Sequence, residues 1–149
     1  MKLSEHFDDQ EFRCHNGDPL PDDFAATIKD TVDFLERLRG FMNFYLFKIK
    51  KNPAWLDLGI TIVSGHRSLA YNRRIGSSDT SQHVAGKAAD VIPSVSFRLF
   101  GYSEWYAMAE LVAKSYGKDR PYRLGKYNRS KFVHVDCGYG HGGLRWTGN

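Results

Sequence analysis

The sequence predicts an α+β fold, a small and mainly antiparallel sheet packed by helices, and three observations carry that prediction. Phe24, Ile28, Val32, Leu35, Leu38 and Met42 recur at spacings of three and four, the stripe of a helix that covers one face of a sheet. Ile60-Thr61-Ile62-Val63 is β-branched throughout, and Phe132-Val133-His134-Val135-Asp136 alternates with a period of two, so both read as strands. Residues 122 to 127 form a further strand, joined to residues 132 to 136 by Asn128-Arg129-Ser130-Lys131, a turn that predicts a hairpin. At 149 residues the chain is long enough to bury about two-thirds of its unfolded surface in one core, so residues 1–149 are expected to be a single domain.

The elements follow in order. Residues 3 to 20 hold Phe7, Phe12 and Leu20 among acids and the turn pairs Asn16-Gly17 and Asp18-Pro19, which predicts a short helix and a loop. The first long helix is expected from Pro21, with Asp22 and Asp23 where the helix dipole favours acids; Gly40 is a candidate bend. The run Phe41, Phe44, Tyr45, Leu46 and Phe47 predicts burial on several sides. Lys48 to Asn52 form a basic last turn, Asn52-Pro53 stops the helix, and Trp55, Leu56 and Leu58 lead into the strand at Ile60. Residues 69 to 75 make one or two helical turns, with Arg73 and Arg74 outward. Ala88, Ala89, Val91 and Ile92 make a short buried strand closed by Pro93, and residues 94 to 101 skirt the sheet. Ser103-Glu104-Trp105-Tyr106 opens a second long helix that ends at Gly117. Residues 138 to 143 are glycine-rich around His141 and read as a flexible loop. Trp146 is expected to pack the tail onto the fold.

Within this framework Ser81-Gln82-His83-Val84-Ala85-Gly86-Lys87-Ala88-Ala89-Asp90 places an imidazole and a carboxylate seven positions apart across a glycine. Asp90 falls in an otherwise apolar strand, where an unpaired charge is costly, so it needs a partner. A zinc ion fits, with His83 and Asp90 as two ligands and His134 from a neighbouring strand as the third, leaving a fourth position open. The period of two puts Phe132, His134 and Asp136 on one face of their strand.

These stretches resemble a known family, the zinc D-alanyl-D-alanine carboxypeptidases and L-alanyl-D-glutamate endopeptidases of peptidoglycan stem peptides, whose fold the Hedgehog signalling domain shares. The likeness is carried by Ser64-Gly65-His66-Arg67-Ser68 with Tyr71-Asn72, by Ser81-x-His83-x-x-Gly86-x-Ala88-x-Asp90, and by Phe132-Val133-His134-Val135-Asp136 with Arg145-Trp146 behind it. Leu3-Ser4-Glu5-His6-Phe7 with Glu11-Phe12 is similar to the start of phage-type and small bacterial members. The resemblance implies one zinc at one end of the sheet, hydrolysis of a stem-peptide bond, and Arg67 holding a substrate carboxylate or carbonyl, a role suited to a planar charged fork. Tyr71 and Ser81 join it as candidate substrate-binding residues, Ser81 by orienting its loop and not as a nucleophile. Many members carry an acid three residues before the last histidine, where this chain has Lys131. The base is therefore open: Asp136 either takes that role or orients His134 or Arg145, and His66 is a third candidate. The alternative function is an inactive zinc-binding relative with a binding or structural role.

Composition narrows the partners. The net charge of +4 favours anionic envelope polymers, but Lys and Arg are spread along the chain and no recognition-helix or finger pattern appears, so no nucleic acid is expected. No apolar run approaches the ~20 residues of a membrane span, so no membrane partner is expected, and a monomer acting on the stem peptide is the simplest reading. Without an apolar leader the chain is expected to stay cytoplasmic until released, or to be virion-associated. Cys14 and Cys137 are expected to be buried apolar groups.

Overall fold

The computed structural model of the chain describes residues 1–52, 57–116, 121–138 and 143–149. The expected roles of Pro53, Trp55, Leu56, Gly117 and His141 lie outside these residues. Five strands, β1 (Ile60–Ser64), β2 (Ala88–Pro93), β3 (Arg123–Tyr127), β4 (Phe132–Asp136) and β5 (Arg145–Gly148), form one sheet in the order β1-β2-β4-β3-β5. The pairings β1/β2, β2/β4 and β3/β4 are antiparallel, and β5 runs parallel to β3. With three helices beside it, this is the α+β architecture that the periodicities predict.

The sheet has two unlike faces. Ala89, Val91, Leu124, Val133 and Val135 belong to the core cluster, under helices α1 (Phe24–Phe44) and α3 (Tyr102–Tyr116). The whole predicted stripe of α1, from Phe24 to Met42, is buried, and each such side chain contributes roughly 1.5–3 kcal/mol of hydrophobic stabilisation. Trp105 is fully buried and its Nε1 donates to Val91 O at 3.1 Å. Tyr102 ties α3 to the predicted hairpin: its hydroxyl donates to Phe132 O at 2.6 Å and accepts from Tyr127 N at 2.8 Å.

Three details differ from expectation. The first long helix starts at Phe24, because Pro21 to Asp23 form a turn in which Phe24 N donates to Pro21 O at 3.0 Å. It runs through Gly40 without a break and continues as a π-helical segment over Tyr45–Ile49, whose end is tied to α3 by Tyr45 and Lys50 on Glu104. Arg145–Gly148 is a strand, where the sequence predicts a packed tail. Phe7 and Phe12 are buried as anchors, the latter at the end of a 3-10 turn over Asp9–Phe12 that carries a capping box between Asp8 and Glu11. Cys14 and Cys137 are free and buried. No helix among the described residues is long and apolar enough to cross a membrane.

Candidate metal centre

The opposite face of the sheet is where β2 and β4 turn their polar residues. Asp90 pairs directly with His134 across the β2/β4 ladder, so their side chains stand side by side on one face. His83 arrives from the loop before β2, which turns at Gly86 with φ +72°. A Cβ there would also lie 2.9 Å from Thr27 Oγ1, so both backbone and space call for glycine. His83 Nε2, Asp90 Oδ1 and His134 Nδ1 converge, at separations of 3.3 Å (His83 to Asp90), 2.9 Å (His134 to Asp90) and 3.2 Å (between the imidazoles).

The remaining bonds fix what these atoms are. His83 Nδ1 lies 2.6 Å from Gly65 O; a carbonyl only accepts, so Nδ1 carries the hydrogen and Nε2 presents a lone pair. His134 Nε2 lies 2.7 Å from Asp136 Oδ2, so it donates there and the neutral ring turns its Nδ1 lone pair to Asp90. Three electron-pair donors thus meet with no hydrogen to share, an arrangement that calls for a cation or an added proton. The separations are near the ~3.3 Å edge of a tetrahedron with metal bonds of about 2.0–2.1 Å. Among the described residues, this buried trio has the geometry and donor chemistry to hold a metal ion. Burial resists the charged forms, yet the bonds between His134 and its two carboxylates outweigh it. With a proton in the place of the cation, His134 donates to both carboxylates and its pKa lies above its ordinary value, while the Asp90 carboxyl beside the two imidazoles is held well below the usual range.

Asp136 stands in a bonded network of its own. It has no exposed surface, and its two oxygens accept from Arg123 Nε at 2.7 Å, Arg123 Nη2 at 3.0 Å, Gly138 N at 2.8 Å and His134 Nε2. Burial works against its ionisation, but the bonds to His134 and Arg123 bring its pKa down to about 2. A carboxylate so fully engaged is a poor proton acceptor and a good anchor for His134. Its arginine partner is Arg123, not Arg145, which instead bonds Glu110, Tyr122 O and Gly143 O.

Arg67 lies beside the trio, with Nη2 3.6 Å from Asp90 Oδ2 and the side chain 16% exposed. It is braced by Ser64 Oγ at 3.4 Å and by Asn72 Oδ1 at 3.2 Å; buried Asn72 also donates to Ser78 O. Ser81 Oγ accepts from His83 N at 3.3 Å at the rim of the cleft. His66 is not brought to the cleft: its ring is buried edge-on against Phe24, and burial pushes its pKa down. Tyr71 lines an adjoining hollow with His15 and Ile75, which shares Arg67, Asp90 and Phe132 with the main cleft. Lys131 sits in the hairpin turn at φ 62°, its Nζ over the Tyr102 ring. Sequence reasoning missed Arg123, Tyr127 and the full weight of Trp146, all of which line the cleft. Period two along β3 would have grouped Arg123 and Tyr127, but only the register Arg123↔Asp136 and Gly125↔Trp146 sets them beside the site.

An α+β sheet with a buried two-imidazole, one-carboxylate cluster at the floor of an open cleft defines a candidate metallohydrolase. The family model described as Peptidase M15 matches residues 5–136, and the chain belongs to the peptidase M15 family. No curated protein matches the chain, and neither does any solved structure.

Proposed function

We propose that the chain is a zinc-dependent peptidase that hydrolyses a bond of the peptidoglycan stem peptide, either D-Ala–D-Ala as a carboxypeptidase or L-Ala–D-Glu as an endopeptidase. The observation that carries this reading is the convergence of His83 Nε2, Asp90 Oδ1 and His134 Nδ1 within 3.3 Å of one another at the floor of the cleft, in a chain of a metallopeptidase family. His83, Asp90 and His134 would hold the zinc, which would supply a Lewis acid for the peptide carbonyl and a water activated near neutral pH. The residues around it divide the remaining work. Asp136, clamped by Arg123, keeps His134 in one tautomer, and the Gly65 carbonyl does the same for His83. Arg67 offers a fixed positive fork to a substrate carboxylate or to charge developing on the carbonyl oxygen. Ser81 holds the loop that carries His83.

One observation favours the second reading, a zinc-binding relative without turnover. Among the described residues the carboxylates that line the cleft are Asp90 and Asp136, and both are engaged. Mass spectrometry of products from purified sacculi and a synthetic muramyl pentapeptide, with zinc and with chelator, separates the two. Free D-Ala identifies a carboxypeptidase, and stem peptides beginning at D-Glu identify the endopeptidase. His83→Ala is expected to lose stoichiometric zinc together with product. Zinc bound without product from any wall type supports the inactive relative, and full zinc retention in His83→Ala refutes the site.

A further inference from the structure

The cleft, about 570 Å³ in volume, has two unlike walls beside the metal-binding trio. One is a row of flat rings, and two glycines of the sheet make room for it. A Cβ on Gly125 would lie 2.6 to 2.8 Å from Cε2, Cζ2 and Nε1 of Trp146, so the indole lies flat on the backbone of β3 and turns its other face to the cleft, with the Arg123 guanidinium 5.7 Å from its centroid. A Cβ on Gly148 would meet the Tyr127 ring in the same way, at 2.5 to 3.0 Å. Trp146 Nε1 donates to Tyr127 Oη at 3.1 Å, and Tyr127 stacks on Phe132 with centroids 4.5 Å apart and planes at 25°. Trp146 borders the trio, its ring 5.1 Å from that of His134. Neither the trio nor the clamp on His134 requires it.

The facing wall is the loop before His83. Its carboxylate, Asp79, is turned to Arg73 at 2.8 and 3.0 Å. What remains toward the cleft is uncharged: Ser77, Ser78, Thr80 and Gln82, with Ser78 Oγ and Thr80 Oγ1 2.8 Å apart. A flat indole face opposite hydroxyls and an amide matches a pyranose, whose C–H face is apolar and whose rim carries hydroxyl and acetamido groups. A terminal alanine offers one methyl group, too little to cover an indole.

We propose that this wall is a subsite for a sugar ring, the N-acetylated amino sugar that bears the stem peptide, and that the bond cleaved is the one near it, L-Ala–D-Glu. The proposal rests on the peptidase reading above and narrows it. Distance supports the choice of bond. A chain spans at most ~3.6 Å per residue, so one residue separates a sugar on Trp146 from a bond held at the trio. The four residues between the sugar and the D-Ala–D-Ala bond, lying extended along the cleft, would set the sugar about 14 Å from the trio, whereas the Trp146 ring lies 5.1 Å from that of His134.

The test compares N-acetylmuramyl-L-Ala-D-isoGln with L-Ala-D-isoGln on the zinc-loaded full chain, by titration calorimetry, saturation-transfer NMR and kcat/KM. The sugar-bearing ligand is expected to bind about tenfold more tightly, with saturation at pyranose C–H protons. Trp146→Leu is expected to abolish that preference and Trp146→Phe, which keeps a flat ring, to retain most of it. Equal affinity of the two ligands in the wild-type chain overturns the subsite, as does a preference that survives in both Trp146→Leu and Tyr127→Leu. Saturation confined to peptide protons assigns the wall to a peptide side chain and also overturns it. Hydrolysis without sugar preference removes this inference and leaves the peptidase reading. Sugar-dependent binding that needs Trp146, without hydrolysis of either ligand, does the reverse.

Discussion

Gly65→Ala tests how the N-terminal segment holds the metal centre. A Cβ on Gly65 would lie 2.5 Å from Phe12 Cα, 2.7 Å from Phe12 O and 2.8 Å from Phe12 Cβ. The obstacle is backbone, and it does not swing aside: Phe12 is fully buried, and its carbonyl accepts from His66 N at 2.8 Å. Restoring ordinary contact requires the two segments to part by about 1 Å, an overpacking that costs about 1–3 kcal/mol and lowers Tm by roughly 3–10 °C for a chain of this size. Gly65 O is also the acceptor for His83 Nδ1. The same displacement therefore loosens His83 and lowers zinc affinity by about 10–100-fold, as the loss of an outer partner to a ligating imidazole does. Thermal unfolding of the metal-free protein reads the first effect, and competition with a chromophoric chelator reads the second. An alanine variant with unchanged Tm and unchanged zinc affinity refutes the reasoning, and a lowered Tm with full affinity refutes only the link from Phe12 to His83.

Three further outcomes are expected. Asp136→Asn cannot reproduce an acceptor for both Arg123 and His134, so zinc affinity falls by about 10–100-fold in chelator competition; undiminished affinity contradicts the orienting role. In the metal-free protein the raised His134 pKa means that the charged ring's contribution to stability is complete below ~6.5 and is lost as pH rises through the folded value. Metal expels that proton, so the Tm gap between zinc-loaded and metal-free protein widens from about pH 6 to about pH 8, and a narrowing gap counts against the site. Lys131→Glu places an acid in the hairpin turn, outside the cleft, and leaves turnover within about twofold; a large gain in activity would mean that the turn reaches the substrate.

The parts of the fold legible in the sequence are those set by local period. The α1 stripe, the alternation of Phe132 to Asp136 and the Asn128-to-Lys131 turn each encode one element without reference to the rest of the chain. The trio was legible for a related reason: a charged Asp90 inside an apolar strand demands a partner, and the period of two names the face on which His134 stands. What stayed hidden depends on pairing between distant segments. Arg123 clamps Asp136 because the two are opposite in the β3/β4 register, and nothing local distinguishes it from Arg145, the arginine considered first. Gly65 reads as an ordinary turn glycine until Phe12, far away in sequence, is packed on it. Four residues of β5 carry too little alternation to read as a strand, and their parallel pairing with β3 is a tertiary outcome.

The two-faced sheet also protects its own assembly. A one-residue slip of β4 against β2 would carry Val133 and Val135 into the cleft and turn His134 and Asp136 under α1 and α3, where an ionised carboxylate without Arg123 would cost several kcal/mol. Misaligned pairings of these two strands are thereby rejected by the same charges that build the site. Replacing the polar residues of β4 with apolar ones would do more than silence the chemistry, because both faces of the strand would then suit the core and the chain would lose its means of telling one alignment from the next.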